Sequence, residues 1–288
     1  MMDENKKAAQ KKKVSHFITI AVLVILFLAF IFPFIMVIFN AFKTKGDITA
    51  DPLALVGSHG FILTNFTDAM KKMNFATSFT NSLLITTVST ILTIMLSAMT
   101  AFVIVRNKWK ACGILFSLMI ASMVIPFQVL MIPLVSLYGG IFGVLNSRIT
   151  LILMHVGFSL SMATFMFHGA IHTSVPMELE EAAFIDGCGY FKTMIKVMAP
   201  MAKPSIITVI LFNFLAFWNE YIIALTLMPG ASKTLPVGLV TLSKGQMAAA
   251  NYGQLYAGLV IVMLPTLILY IMVQKKLTQG MTLGGLKD

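Results

Sequence analysis

Apolar residues run through this chain in long blocks broken by short polar connectors. Six blocks, roughly 15–41, 79–105, 112–136, 148–171, 204–228 and 254–274, each offer the about 20 apolar residues that a helix needs to cross a hydrocarbon layer. None keeps the alternating ten-residue rhythm of a membrane barrel, so the pattern predicts helices. The predicted fold class is an all-α membrane protein with six transmembrane helices. Its organisation reads as a basic segment 1–14, a first transmembrane helix 15–41, a polar loop 42–78, a core of five transmembrane helices 79–276 and a tail 277–288. In the polar loop Pro52, Gly57 and Gly60 mark turns, and one short helix is expected near Thr64 to Met73.

One polar stretch between two very apolar blocks predicts something other than a span. Over about 176–189 the chain reads Pro-Met-Glu-Leu-Glu-Glu-Ala-Ala-Phe-Ile-Asp-Gly-Cys-Gly. Pro176 suits the first position of a helix, where its missing N–H is not needed, and Glu178, Glu180 and Glu181 fall in the opening turns, where the helix dipole favours carboxylates. Gly187 and Gly189 stop the helix, because glycine reaches left-handed backbone at little cost. A second helix begins near Tyr190 and carries Lys192 and Lys196. Leu179, Ala182, Ala183 and Asp186 recur at three- and four-residue spacing on one face, with Glu178 and Glu181 on another, a shape suited to a groove. An interfacial amphipathic helix that merely links two spans is the plainer alternative.

Composition agrees: 58% hydrophobic residues, 11% charged and a mean hydropathy of +0.90 exclude an ordinary soluble domain. The net charge of +10 raises the question of nucleic acid, and its distribution answers it. With six spans and the N-terminus inside, Lys6, Lys7, Lys11, Lys12 and Lys13, then Arg106, Lys108 and Lys110, then Lys192, Lys196 and Lys203, and finally Lys275, Lys276 and Lys287 all fall on the cytoplasmic side. Lys43, Lys45, Lys71, Lys72, Arg148, Lys233 and Lys244 fall outside. That asymmetry follows the positive-inside rule, places both termini in the cytoplasm and implies no nucleic-acid partner. The basic residues before the first span resemble a signal-peptide start, but the apolar run is too long for one, so the span is expected to remain as an anchor. Cys112 and Cys188 fall on the reducing side, and neither a disulfide nor a metal site is implied.

Within the spans a few residues stand out. Pro126 and Pro133 each free a backbone carbonyl in span three, which membrane helices tolerate where neighbours or a water-filled cavity satisfy it. A kinked span facing a translocation path, with Gln128 beside it, and a kink that serves bundle packing are both open. Span four carries His155 and His168 with Ser159 and Ser161, but no second ligand stands at metal spacing. Span five holds Asn213, Trp218, Asn219 and Glu220. An ionisable residue at that depth is a functional candidate, because burying its charge is expensive. The pentapeptide Leu242-Ser243-Lys244-Gly245-Gln246 mimics the signature of nucleotide-binding cassettes, but it falls on the outer side and the chain has no phosphate-binding Gly-x-x-x-x-Gly-Lys-Ser/Thr loop.

The order Glu181-Ala182-Ala183, three residues, Gly187, nine residues, then Val197-Met198-Ala199-Pro200 resembles the E-A-A loop of permease subunits of bacterial ABC importers, the binding-protein-dependent transport inner-membrane components. The family pattern favours Ile-x-Leu-Pro at the end, and this chain departs from it mildly. Asn81-Ser82-Leu83, Pro126 with Gln128 and Pro133, the Trp-Asn-acid run at Trp218 to Glu220, Lys233 to Leu239, and the glycine-rich tail ending near Lys287 resemble the carbohydrate branch. The resemblance implies a type I importer permease fold in which Glu180, Glu181, Ala182, Ala183, Asp186, Gly187 and Pro200 belong to a cytoplasmic coupling helix and its continuation. It also implies that Glu220 locks the bundle or gate more than it chooses substrate, and that the Lys233 loop meets a binding protein. Partners would be a second, homologous permease, two cytoplasmic ATPase subunits holding ATP and Mg, and an extracellular solute-binding protein, in the cytoplasmic membrane of a bacterium. This chain would bind no cofactor and catalyse nothing, and the tail either reaches the ATPases or is frayed. A six-helix secondary transporter or channel without an ATPase is the alternative, although paired membrane charges or broken-helix repeats would then be expected. A membrane enzyme lacks its motifs, with no His-Glu-x-x-His and no Gly-x-Ser-x-Gly.

Overall fold

The computed structural model describes residues 2–228, 233–243 and 251–285. Its helices, in order, are α1 (Met2–Asn40), α2 (Lys45–Ala50), α3 (Thr64–Lys72), α4 (Phe75–Arg106), α5 (Lys110–Ser122), α6 (Phe127–Ile141), α7 (Arg148–Ser174), α8 (Met177–Ile185), α9 (Tyr190–Met201), α10 (Lys203–Asn219), α11 (Ile222–Leu227), α12 (Leu235–Ser243) and α13 (Tyr252–Gly285). Four are long and apolar enough to cross a membrane alone, at Lys12–Asn40, Phe75–Arg106, Arg148–Ser174 and Tyr252–Gln274. Among the described residues two bent pairs, α5 with α6 and α9 with α10, bring the number up to six if each pair counts as one span.

The breaks have local causes. Span three was expected to kink, and it turns by 93° between α5 and α6. Pro126 stands at the turn with φ −65° and ψ 133°; it has no N–H to give, and its ring disfavours helical backbone at the preceding residue. Pro133 stays inside α6, which ends in a π-helical turn at Ser136–Ile141. Span five was expected to run unbroken over 204–228, but α10 ends at Asn219 and α11 starts afresh. Glu220 is extended there, with ψ 125°, and its carboxylate accepts the N–H groups of Ile223 at 2.6 Å and Ala224 at 3.0 Å. A side-chain cap thus replaces the next turn of helix. At its other end α10 meets α9 at 87°, with Pro204 in its first turn.

The chain divides into two compact units. The first, Met1–Lys71 with Leu242–Ile261, contains α1, which from Lys12 onward buries none of its most apolar stretch, and a folded segment after it. That segment has one more helix than the sequence suggested. Thr44 caps α2 by accepting the N–H of Asp47, and Asp47 in turn accepts the hydroxyls of Thr44 at 2.7 Å and Ser58 at 2.5 Å. Lys43 is buried, its Nζ 3.3 Å from the Asp51 carbonyl and 3.4 Å from that of Pro52. Asn65 of α3 donates to the carbonyls of Ala41 and Lys43, and Asp68 accepts from Gln254. Gly253 is needed at this point, because a Cβ there would stand 2.6 Å from Asn65 Nδ2 and 2.7 Å from the Lys43 carbonyl.

The second unit, Lys72–Thr241 with Val262–Asp288, is built on α4 and α7, which pack along most of their length. Helix α4 contains neither proline nor glycine and is ~48 Å long at ~1.5 Å per residue, so it outreaches the bilayer core. Its buried residues include Ser78, Ser82, Ile85, Ser89, Thr93, Ser97 and Ala101, three or four residues apart and mostly small. Small side chains let two membrane helices approach closely, and close packing rather than hydrophobicity holds helices together in lipid. Toward one end Ile85, Leu151, Met154, Ile223, Leu227 and Val237 form one core cluster; toward the Arg106 end Phe102, Phe167, Ile171, Val175, Met198 and Val209 form another.

Candidate functional site

The 176–189 stretch forms the helix expected of it. Pro176 enters with extended backbone, α8 runs to Ile185, and Asp186 closes it. Gly187 has φ +76°, the Gly187 N–H bonds the Phe184 carbonyl at 3.0 Å, and the Cys188 N–H bonds the Ala183 carbonyl at 2.9 Å. This pair of bonds is the Schellman arrangement, which satisfies end carbonyls only if the residue after the cap is left-handed. Tyr190 then opens α9, its ring set edge-on to Phe184 with centroids 4.9 Å apart.

What orients α8 is an ion pair between positions 74 residues apart. Glu180 is 3% exposed, and its carboxylate accepts from Arg106 Nε at 2.9 and 3.0 Å and from an Arg106 terminal nitrogen at 2.5 Å. The same terminal nitrogen also donates to the Val175 carbonyl at 2.8 Å. Only a planar guanidinium can serve two carboxylate oxygens and a carbonyl in this way. With Glu180 inward, Ala183 follows it into the interior. Met177, Leu179, Glu181, Ala182, Ile185 and Asp186 face outward, Ile185 at 87% exposure. The structure therefore divides the face expected from spacing: Leu179, Ala182 and Asp186 point out, and Ala183 points in. Pro200 is exposed near the end of α9. Beside α8 lies a cleft of about 580 Å³ bordered by Trp109, Glu181, Phe184, Tyr190 and Phe191.

The residues expected along a path or gate are more scattered. Pro126 and Gln128 are exposed at the α5–α6 turn. Asn213 is buried and donates to the Val209 carbonyl of its own helix; Asn219 is exposed and donates to that of Leu215. Glu220, at the α10–α11 break, lies 3.6 Å from Nε2 of His155, which is buried and stacked on Phe217 at 4.7 Å. Helix α11 also packs on α6. A hollow of about 360 Å³ between α5, α6 and α7 is lined by Ser122, Leu134, Tyr138, Met154 and Phe158, and not by Pro126, Gln128, Asn213, Asn219 or Glu220. Asn81 and Ser82 tie α4 to the start of α12: Asn81 donates to the Lys233 carbonyl, and Ser82 accepts the Leu235 N–H. Residues 244–246 of the signature-like pentapeptide 242–246, and 286–288 of the tail, lie outside the described ones.

Sequence reading used Arg106 only as a topological charge and did not join His155 to Glu220. One signal was present. The chain has two arginines, Arg106 and Arg148, among 21 basic residues, so an arginine here marks a position where lysine would not do.

Apolar crossing segments, two of them sharply bent, with a short helix braced outside them, define a polytopic membrane transport subunit. The chain belongs to the family of binding-protein-dependent transport system inner membrane components, which it matches over residues 91–282. It is 33% identical to the probable starch degradation products transport system permease protein AmyC of Thermoanaerobacterium thermosulfurigenes, over 92% of this chain and 94% of that protein. It is 30% identical to the diacetylchitobiose uptake system permease protein NgcG of Streptomyces coelicolor, over 92% and 86%. A crystal structure of a bacterial ABC transporter involved in the import of the acidic polysaccharide alginate superposes with a TM-score of 0.74 at 18% identity, covering 91% of this chain and 96% of that one. The fold is that of an importer permease.

Proposed function

We propose that this chain is one of two homologous permease subunits of an ATP-driven importer that takes up a sugar or oligosaccharide delivered by an extracellular binding protein. The observation that carries the reading is α8, a short helix held outside the crossing segments with Leu179, Glu181, Ala182, Ile185 and Asp186 turned outward. Such a face is suited to a groove on a soluble partner, here an ATPase subunit. The relatives' transport of starch degradation products and diacetylchitobiose supports the substrate class. Lys192, Lys196 and Lys203 follow α8 and Lys108 and Lys110 follow Arg106, which supports a cytoplasmic position for this end and for both termini. ATP and Mg would be bound by the partners. Closure of the ATPases would displace α8, and the permeases would rock between inward- and outward-facing states, because packed interfaces have discrete arrangements.

Recovery of an ATPase on a tagged copy of this chain, together with uptake of a panel of labelled sugars by liposomes holding the complex, tests the proposal. An ATPase that co-purifies and is lost in Glu181→Lys, with uptake of at least one sugar, is the expected result. Uptake without any ATPase would favour a secondary transporter.

A further inference from the structure

Resting on that function, we propose that Arg106 is the positioning residue that makes the docking helix rigid with the membrane bundle, so that motion of α8 becomes motion of α4 and α7. The guanidinium stands where three helix ends meet. It belongs to the last turn of α4. It donates to the carbonyl of Val175, the residue that closes α7, and so meets one of the end carbonyls that a helix leaves unpaired. It grips Glu180 in the opening half of α8 through two nitrogens. Below it α4 and α7 are already one body, with Ala101 and Phe102 packed among Phe167, Ile171 and Val175.

Without this grip α8 would be tied to the bundle by weaker means. Its N-terminal link is the extended Val175-Pro176 pair, and its C-terminal link is the left-handed Gly187. Both are places where a chain pivots. Of its own side chains Ala183 is small and Phe184 half-buried, so neither fixes direction as a forked ion pair does. The pair is also sheltered: the side chains of Arg106 and Glu180 are 16% and 4% exposed, so solvent screens it little. A push on the outward face of α8 then reaches α4 and α7 through two oriented bonds. If they are lost, α8 can pivot on Pro176 and Gly187 while an ATPase remains docked. Hydrolysis would continue and transport would fall behind it.

The experiment compares Arg106→Gln and Arg106→Lys with the unaltered chain, each in the whole importer reconstituted in liposomes. The measurements are ATPase recovery, ATP hydrolysed per sugar moved, and the rates at which N-ethylmaleimide alkylates the half-buried Cys188 and the buried Cys112. Arg106→Gln should recover the ATPase normally and hydrolyse about five-fold or more ATP per sugar, the low end of ordinary coupling factors. Arg106→Lys should fall between, because an ammonium keeps the charge but not the fork. Alkylation of Cys188, one residue beyond the pivot at Gly187, should quicken while Cys112 stays protected. An unchanged ATP-to-sugar ratio, an unchanged Cys188 rate, or equal exposure of both cysteines would each overturn the proposal, the last by showing that Arg106 supports the bundle as a whole. Failure of the unaltered chain to recover an ATPase would instead sink the importer reading, and the Cys188 comparison would still report whether Arg106 holds α8.

Discussion

At the scale of single residues, Gly187 makes the turn that ends the short polar helix, with a φ of +76° and two closing hydrogen bonds. A Cβ at Gly187 would meet nothing within 4 Å, so the strain of Gly187→Asp is purely conformational, about 1–2 kcal/mol. The variant should insert normally yet lose ATPase recovery and sugar-stimulated hydrolysis, and normal values of both would make the turn only a linker. Glu220 stood out as an ionisable residue in a span; that it starts α11 by accepting two backbone N–H groups could not be read, because no proline or glycine announces the break. Glu220→Gln keeps one acceptor and should lower thermal stability by about 1 kcal/mol, whereas Glu220→Ala leaves both N–H groups unmet and should lower it by about 1–3 kcal/mol more. In each case sugar preference in a competition panel should be unchanged. Asp47 yields a pH dependence. The Ser58 hydroxyl first, then the Thr44 hydroxyl and the Ser58 backbone, hold its carboxyl well below the usual carboxylate range. A lowered folded-state value means that the stabilisation is complete above the unfolded value of ~3.9 and is lost as pH falls through the folded one. The hydrogen-exchange protection of residues 44–58, taken relative to the intrinsic rate at each pH, should therefore be flat from neutral pH down to about 5 and fall in stronger acid, and Asp47→Asn should remove that step.

For whole elements, the apolar blocks 15–41, 79–105, 148–171 and 254–274 fall on the four long apolar helices, whereas 112–136 and 204–228 fall on helices that are broken or bent. The boundaries were moved by caps and prolines, not by hydropathy. Proline announced the bend at 126 but not its size, because a kinked span and two helices at a right angle have the same composition. The short helix was legible from its proline start, acidic first turns and glycine stop. Its facing was not, because spacing assigns residues to stripes without saying which stripe turns inward. That is decided by Arg106, which lies on another helix. Helix α2 was missed for a related reason: its six residues carry no apolar rhythm, and the mutual capping of Thr44 and Asp47, with Ser58 bonded to Asp47, holds them.

Across the whole molecule, the charge asymmetry predicts an orientation that can be measured directly. A cysteine placed at Asp68 or Lys233 should react with an impermeant thiol reagent added outside intact cells, and Cys188 should not; labelling of Cys188 in sealed right-side-out vesicles would reverse the assignment. The division into two units was not visible in the sequence, since Leu242–Ile261 joins the N-terminal part across most of the chain, through contacts such as Gln254 with Asp68 and the close approach of Gly253 to Asn65. The serine and threonine face of α4 bears on how such a protein tolerates change. In a water-soluble core, exchanging a buried hydroxyl for an isoleucine or leucine is a common way to raise a melting temperature. Here lipid offers an apolar side chain the same surroundings as the interior, so added methyl groups gain nothing on burial and push α4 away from α7. The engineer's usual instinct is therefore inverted: between these two helices the most robust variants will be the smaller ones.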